Sequence, residues 1–255
     1  MRIAVRWAVP LLVAGLWELA ARRTQDVFFP PPSAIVKRMY ELWFSGPFVL
    51  TPDAVDNLLP SLGRMAAGLA VATLAGVGLG LALGRSARLM DYLDPLLQFA
   101  RAIPPPTLVP VFIVLMHLGS AMQIVSIAVS AVWPILLNTA DGARTVDPVQ
   151  IATARVFRIG PADRLRRIIL PSSLPKIFAG LRLSLSLALI LMVFSELLPG
   201  AADGIGFQLT DAQSRSDLPT VWSAIVLLGV LGYLLNTLLL VVERRALRRH
   251  RTGGL

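Results

Sequence analysis

Six stretches of this chain are too long and too apolar for the rest of it to cover. They are Ile3–Ala20, Leu62–Leu83, Pro95–Leu115, Ala121–Asn138, Phe178–Leu198 and Val221–Val242. A helix crosses the hydrocarbon of a bilayer with about 20 mostly apolar residues, so each stretch reads as a span. The expected fold is all-α and polytopic, with about six transmembrane helices. Composition agrees: 55% of the 255 residues are hydrophobic and 15% are charged, where a soluble domain carries roughly 25% charged residues. A soluble enzyme and a disordered chain are excluded. The absence of Cys excludes a disulfide scaffold and thiolate metal sites.

The basic residues set an orientation. With both termini in the cytoplasm, 18 of the 24 Lys and Arg fall inside, and Arg22, Arg23, Lys37, Arg38, Arg64 and Arg215 fall outside. That bias is the positive-inside signal, and it reads the net charge of +9 as an insertion signal; no nucleic-acid partner is expected. The first stretch has a rival reading. Arg2, Arg6, the apolar run Trp7–Leu16 and Leu19-Ala20-Ala21 resemble a signal peptide, but Trp17 and Glu18 sit badly in a cleavage region. The expected organisation is an anchor helix with an external amphipathic segment over 1–61, a transmembrane core over 62–245 and a basic cytoplasmic tail over 246–255. Within the first part, Ile35, Val36, Met39, Leu42 and Trp43 fall at helical spacing opposite Lys37, Arg38 and Glu41, an amphipathic helix for the bundle or for lipid.

Inside the spans, Gly68, Ala72, Gly76, Gly80 and Gly84 recur every fourth residue and form a small-residue ridge for close helix packing. Arg101-Ala102-Ile103-Pro104-Pro105-Pro106 must break the third helix, because prolines lack the N–H and crowd the preceding turn. The break is either a kink satisfied by neighbours or irregular backbone lining a pathway. Glu196, near the outer end of the fifth span, is costly at membrane depth and so a gate or pathway candidate. Arg101, Pro104 and Arg182 are further pathway candidates, although interfacial arginines also simply snorkel. His117 and His250 stand apart from carboxylates, so no metal site is expected, and no catalytic constellation or Walker loop is present.

The connection Thr139–Ile177 is the most informative stretch. Asp147-Pro148 reads as an N-cap followed by the first helical residue. Gly160-Pro161 ends that helix, and a second short one leads through Arg164, Arg166 and Arg167 into Ile168-Ile169-Leu170-Pro171. Its apolar face has no soluble domain in the chain to cover it, which points to a partner protein.

Here the sequence resembles ABC importer inner-membrane permease subunits. Their cytoplasmic loop has the form Glu-Ala-Ala, three residues, Gly, nine residues, Ile-x-Leu-Pro. Aligned on Ile168-Ile169-Leu170-Pro171, the Glu-Ala-Ala falls on Ala152-Thr153-Ala154 and the Gly on Arg158, with Gly160 two places on. Leu174-Pro175, Gly180-Leu181-Arg182, Ser195-Glu196-Leu197, Gly204-Ile205-Gly206 and Arg101-Ala102-Ile103-Pro104 extend the likeness to the nitrate/sulfonate/taurine-type group. The resemblance implies an ATP-driven permease for a small anionic solute, located in the bacterial inner membrane. It also implies two cytoplasmic ATPase copies, a second permease subunit forming a homodimer, an extracytoplasmic binding protein and surrounding lipid. Mg-ATP would sit on the ATPase, and no cofactor would sit on this chain. Ala152, Thr153, Ala154, Arg155, Val156, Phe157, Arg158, Gly160, Pro161, Leu170 and Pro171 would form the coupling loop. A secondary carrier or channel is the alternative; it would show internal repeats, and none is clear.

Overall fold

The computed structural model describes the backbone of residues 2–47 and 49–251. The end of the expected basic tail, residues 252–255, lies outside the described residues. Eleven α-helices follow in order: α1 Arg2–Thr24, α2 Pro32–Trp43, α3 Leu59–Gly84, α4 Ala87–Ala102, α5 Pro105–Met116, α6 Ser120–Arg144, α7 Pro148–Val156, α8 Pro161–Arg164, α9 Leu170–Glu196, α10 Ile205–Ser214 and α11 Leu218–Arg251. Short π turns, Ala54–Leu58 and Leu165–Ile169, lead into α3 and α9. Among the described residues, four helical runs are long and apolar enough to cross a membrane: Ala54–Gly84, Ser120–Arg144, Pro161–Glu196 and Leu218–Leu247. A fifth exists if the bent pair α4–α5 is one span. Six were expected. The first expected span falls on α1, which is not among the four and whose side chains up to Trp7 lie outside the described residues.

Two expectations change at prolines. The third stretch is two helices meeting at 87°. Ile103 and Pro104 are extended, and Pro105 and Pro106 occupy the first turn of α5, where a missing N–H costs nothing. The prolines therefore start a helix as well as ending one. The second correction concerns Thr139–Ile177, which is not a polar link with two separate short helices. α6 runs on to Arg144, and α8 passes through a π turn directly into α9. Pro171 explains the turn. A proline ring crowds the carbonyl four residues back, here that of Arg167, and the wider π turn containing Arg167 relieves the clash. Pro60 follows the other π turn in the same way, with Asp56 at the crowded position. Pro175 is carried inside α9.

The described residues form two compact units. One comprises residues up to Leu62 with Glu196–Leu231; the other comprises Gly63–Ser195 with the chain from Gly232 onward. In the second unit α6 is the centre, with buried residues along its whole length. α3 lies against it through the glycine ridge. A Cβ at Gly68 would come 2.6 Å from Ile127, at Gly76 2.9 Å from Ile135, at Gly80 2.6 Å from the Leu136 carbonyl, and at Gly84 2.5 Å from that of Ala140. Ala72, in the same row, is buried. α9 lies against α6 at Gly180, whose Cβ would meet the Pro134 carbonyl at 2.7 Å, and Ser184 donates to the Ala131 carbonyl at 2.5 Å. Small residues let backbones approach where lipid gives helices no hydrophobic reason to associate.

In the first unit the amphipathic helix is α2. Ile35 and Trp43 are buried, Trp43 Nε1 donates to Gln208 Oε1 (3.1 Å), and Ser223 donates to the Ile35 carbonyl (3.0 Å). It packs on protein along these residues and leaves Val36 and Tyr40 exposed. Asp217 caps α11: Thr220 donates to it through both N–H and Oγ1, and Arg38 Nη2 lies 2.8 Å away. Desolvation pushes the Asp217 carboxyl up, but these hydrogen bonds and the Arg38 charge outweigh it and hold the group below the ordinary aspartate range.

Candidate functional site

The elbow between α6 and α9 is built by local rules. Asp147 caps α7, its Oδ1 accepting from the Val149 N–H at 2.8 Å, and Pro148 takes the first helical position. At the other end Arg158 has φ +54°. Its N–H donates to the Arg155 carbonyl, and that of Ile159 donates to the Ala154 carbonyl, both at 2.9 Å. This is a Schellman closure, whose left-handed residue is usually Gly. The backbone thus keeps the shape for which the resembled motif uses Gly, with Arg158 in its place. A left-handed non-Gly residue costs roughly 1–2 kcal/mol, partly offset by the entropy of Gly. Arg158→Gly is therefore expected to stabilise the end of α7, slowing amide exchange at Phe157–Ile159 about two- to fivefold; unchanged or faster exchange would contradict this.

The two faces of α7 differ. Ala154 is buried, and Ile151 packs against the cluster Ala143, Val146 and Ile169. Val156 and Phe157, at 79% and 74% exposure, stand out from the elbow. Ala152, Thr153, Arg155, Arg158, Gly160 and Pro161 are also exposed, whereas Leu170 and Pro171 are half-buried at the start of α9. The expected loop residues thus divide between a projecting tip and a root. A projecting aromatic and β-branched pair on a rigid short helix suits docking into a partner's apolar groove. It supplies no nucleophile or general base.

Glu196 ends α9 and is 1% exposed. Ser61 Oγ lies 2.8 Å from each of its carboxylate oxygens, and the Gly206 N–H donates to Oε2 at 3.1 Å. Ser61 Oγ also accepts from the Ile205 N–H (2.9 Å), while Asn57 Oδ1 accepts from that of Gly204 (3.0 Å). These side chains satisfy the N–H groups that open α10, and the carboxylate lies at the positive end of that helix. Gly204 has φ +114°, and a Cβ there would run into the Glu196 carboxylate; no other residue fits. Glu196 and Gly204-Ile205-Gly206 were visible in the sequence. Ser61 and Asn57 were not, because no local pattern joins residues 135 and 147 positions apart.

The remaining pathway candidates are Arg101, Pro104 and Arg182. Arg101 and Pro104 are exposed at the α4–α5 bend. Arg182 is paired with Glu243, Nη2 to Oε2 at 2.6 Å.

Residues 72–248 match the model of the family described as binding-protein-dependent transport system inner membrane component. The bicarbonate transport system permease CmpB of Synechococcus elongatus is 34% identical over 74% of this chain and 68% of its own length. The putative aliphatic sulfonates transport permease SsuC of Bacillus subtilis is 31% identical over 94% and 85%. The nitrate import permease NrtB of Leptolyngbya laminosa is 30% identical over 94% and 88%. A chain of the MetNI methionine ABC transporter, solved in inward facing conformations, superposes with a TM-score of 0.63 at 18% identity, covering 74% of this chain and 94% of that one. That last likeness is one of fold.

Proposed function

This chain belongs to the family of binding-protein-dependent transport system inner membrane components and is an ABC importer permease; from that premise we propose that it passes a small anion into the cell, driven through the α7 elbow by a separate ATPase. The cargo reading is supported by the relatives, since bicarbonate, sulfonates and nitrate are all small anions. The drive is supported by one observation above the others: Val156 and Phe157 project from a short helix that is capped at both ends and rooted in the α6–α9 packing. A groove closing on that tip would move α6 and α9 as levers.

The assembly we propose has two copies of this chain, two ATPase subunits carrying Mg-ATP and an external binding protein that delivers the solute. Both termini and the elbow are cytoplasmic in this reading, in keeping with the arginine bias. ATP binding shifts the pair between inward-open and outward-open states only through its different affinity for the two. Proteoliposomes containing the permease, its copurifying ATPase and the binding protein are expected to accumulate nitrate, bicarbonate or a short alkyl sulfonate with ATP and not without it. Flux through the permease alone, without nucleotide, would overturn the proposal and favour a carrier or channel.

A further inference from the structure

Where α3 and α6 end, four arginines surround one cavity. Arg85, Arg144, Arg155 and Arg164 line a space of about 400 Å³ whose other walls are Gly84, Ala143, Val146, Ile151 and Ile169. No acidic side chain lines it. Among the described residues none of the four makes an ion pair or a side-chain hydrogen bond, while the neighbouring acids are engaged elsewhere: Asp141 by Lys176 at 2.7 Å and Asp163 by Arg167 at 3.1 Å. Arg164 Nε is shut off from solvent and has no hydrogen-bond partner. Arg85 and Arg144 lie at the C-terminal ends of α3 and α6, where the helix dipole favours cations. That accounts for two charges, but not for four, nor for the enclosed Nε.

Four arginines lining one cavity that holds no acidic side chain suit an anion with several acceptor oxygens, and the phosphate group matches the planar fork of a guanidinium. The source follows from position. Gly84 and Arg144 are the last residues of two runs long and apolar enough to span a membrane, so the cavity lies at the depth where hydrocarbon gives way to headgroups. Basic pockets between helices at that depth take anionic lipid headgroups, and the walls of Val146, Ile151 and Ile169 suit the glycerol and upper acyl carbons. We propose that this cavity binds the phosphate of an anionic phospholipid as a structural ligand of the elbow. The site does not depend on which solute is carried or on ATP drive.

Native mass spectrometry of the purified full chain, titrated with phosphatidylglycerol, with phosphatidylcholine and with inorganic phosphate, tests this. Wild type is expected to retain phosphatidylglycerol at concentrations where phosphatidylcholine is lost. Arg85→Gln/Arg164→Gln is expected to weaken that retention at least about tenfold, since each charge-assisted hydrogen bond lost is worth about a factor of ten or more. Arg167→Gln, which removes an arginine already paired outside the cavity, is expected to leave it unchanged. Equal retention of the two lipids by wild type would overturn the proposal, and needs no variant. Displacement of phosphatidylglycerol by millimolar phosphate, or by the ATPase, would overturn it as well, reassigning the cavity to a free anion or to a partner's carboxylates.

Discussion

A Phe157→Glu chain is expected to insert in the membrane normally and to transport nothing. Phe157 is 74% exposed, and a surface substitution of that kind shifts a protein's own stability by no more than about 0.5 kcal/mol. Docked against a partner, the same position behaves differently. Loss of an aromatic anchor and burial of an unpaired carboxylate cost about 3 kcal/mol or more, which weakens association over a hundredfold. Membrane fractionation, copurification of the ATPase and ATP-dependent uptake would be measured together. Normal membrane levels with lost copurification and lost uptake are expected. Normal assembly and uptake would remove the elbow from the coupling mechanism. Phe157→Leu, which keeps an apolar tip, is expected to retain most of the assembly.

Glu196→Ala is expected to cost about 3–5 kcal/mol. It strips an acceptor from the buried Ser61 hydroxyl and the Gly206 N–H and opens a hole beside Gly204. For a chain of this size that corresponds to a fall in Tm on the order of 10 °C. Glu196→Gln keeps the shape and one acceptor oxygen, so the fall is expected to be smaller and transport to survive. The two variants separate anchoring from gating. Lower stability with α10 amides exchanging faster is the anchoring result. An unchanged Tm with abolished uptake in Glu196→Gln would instead make the carboxylate part of the pathway.

The sequence was legible wherever one neighbour decides the outcome. Asp147-Pro148 marks a helix start because capping is a matter of adjacent residues, and it stands where expected; Gly160-Pro161, read as a stop, instead opens α8, after α7 has already ended at Val156. The glycine row on α3 could be seen as a row, though not as facing α6. The second short helix expected through Arg164, Arg166 and Arg167 instead runs on into α9, because a π turn lets the helix widen around Pro171. Arg158 in the left-handed region was equally hidden, since nothing in an arginine announces a positive φ.

Apolar length and charge placement by themselves determined that this chain is a helical membrane protein, because a bilayer leaves backbone polar groups no partner except their own helix. Tertiary structure alone decided that Ser61 and Asn57 meet Glu196 and the start of α10, and that four arginines from α6, α7, α8 and the end of α3 share one cavity. Those meetings join residues far apart in the chain, and they depend on how the helices pack, which no local periodicity encodes.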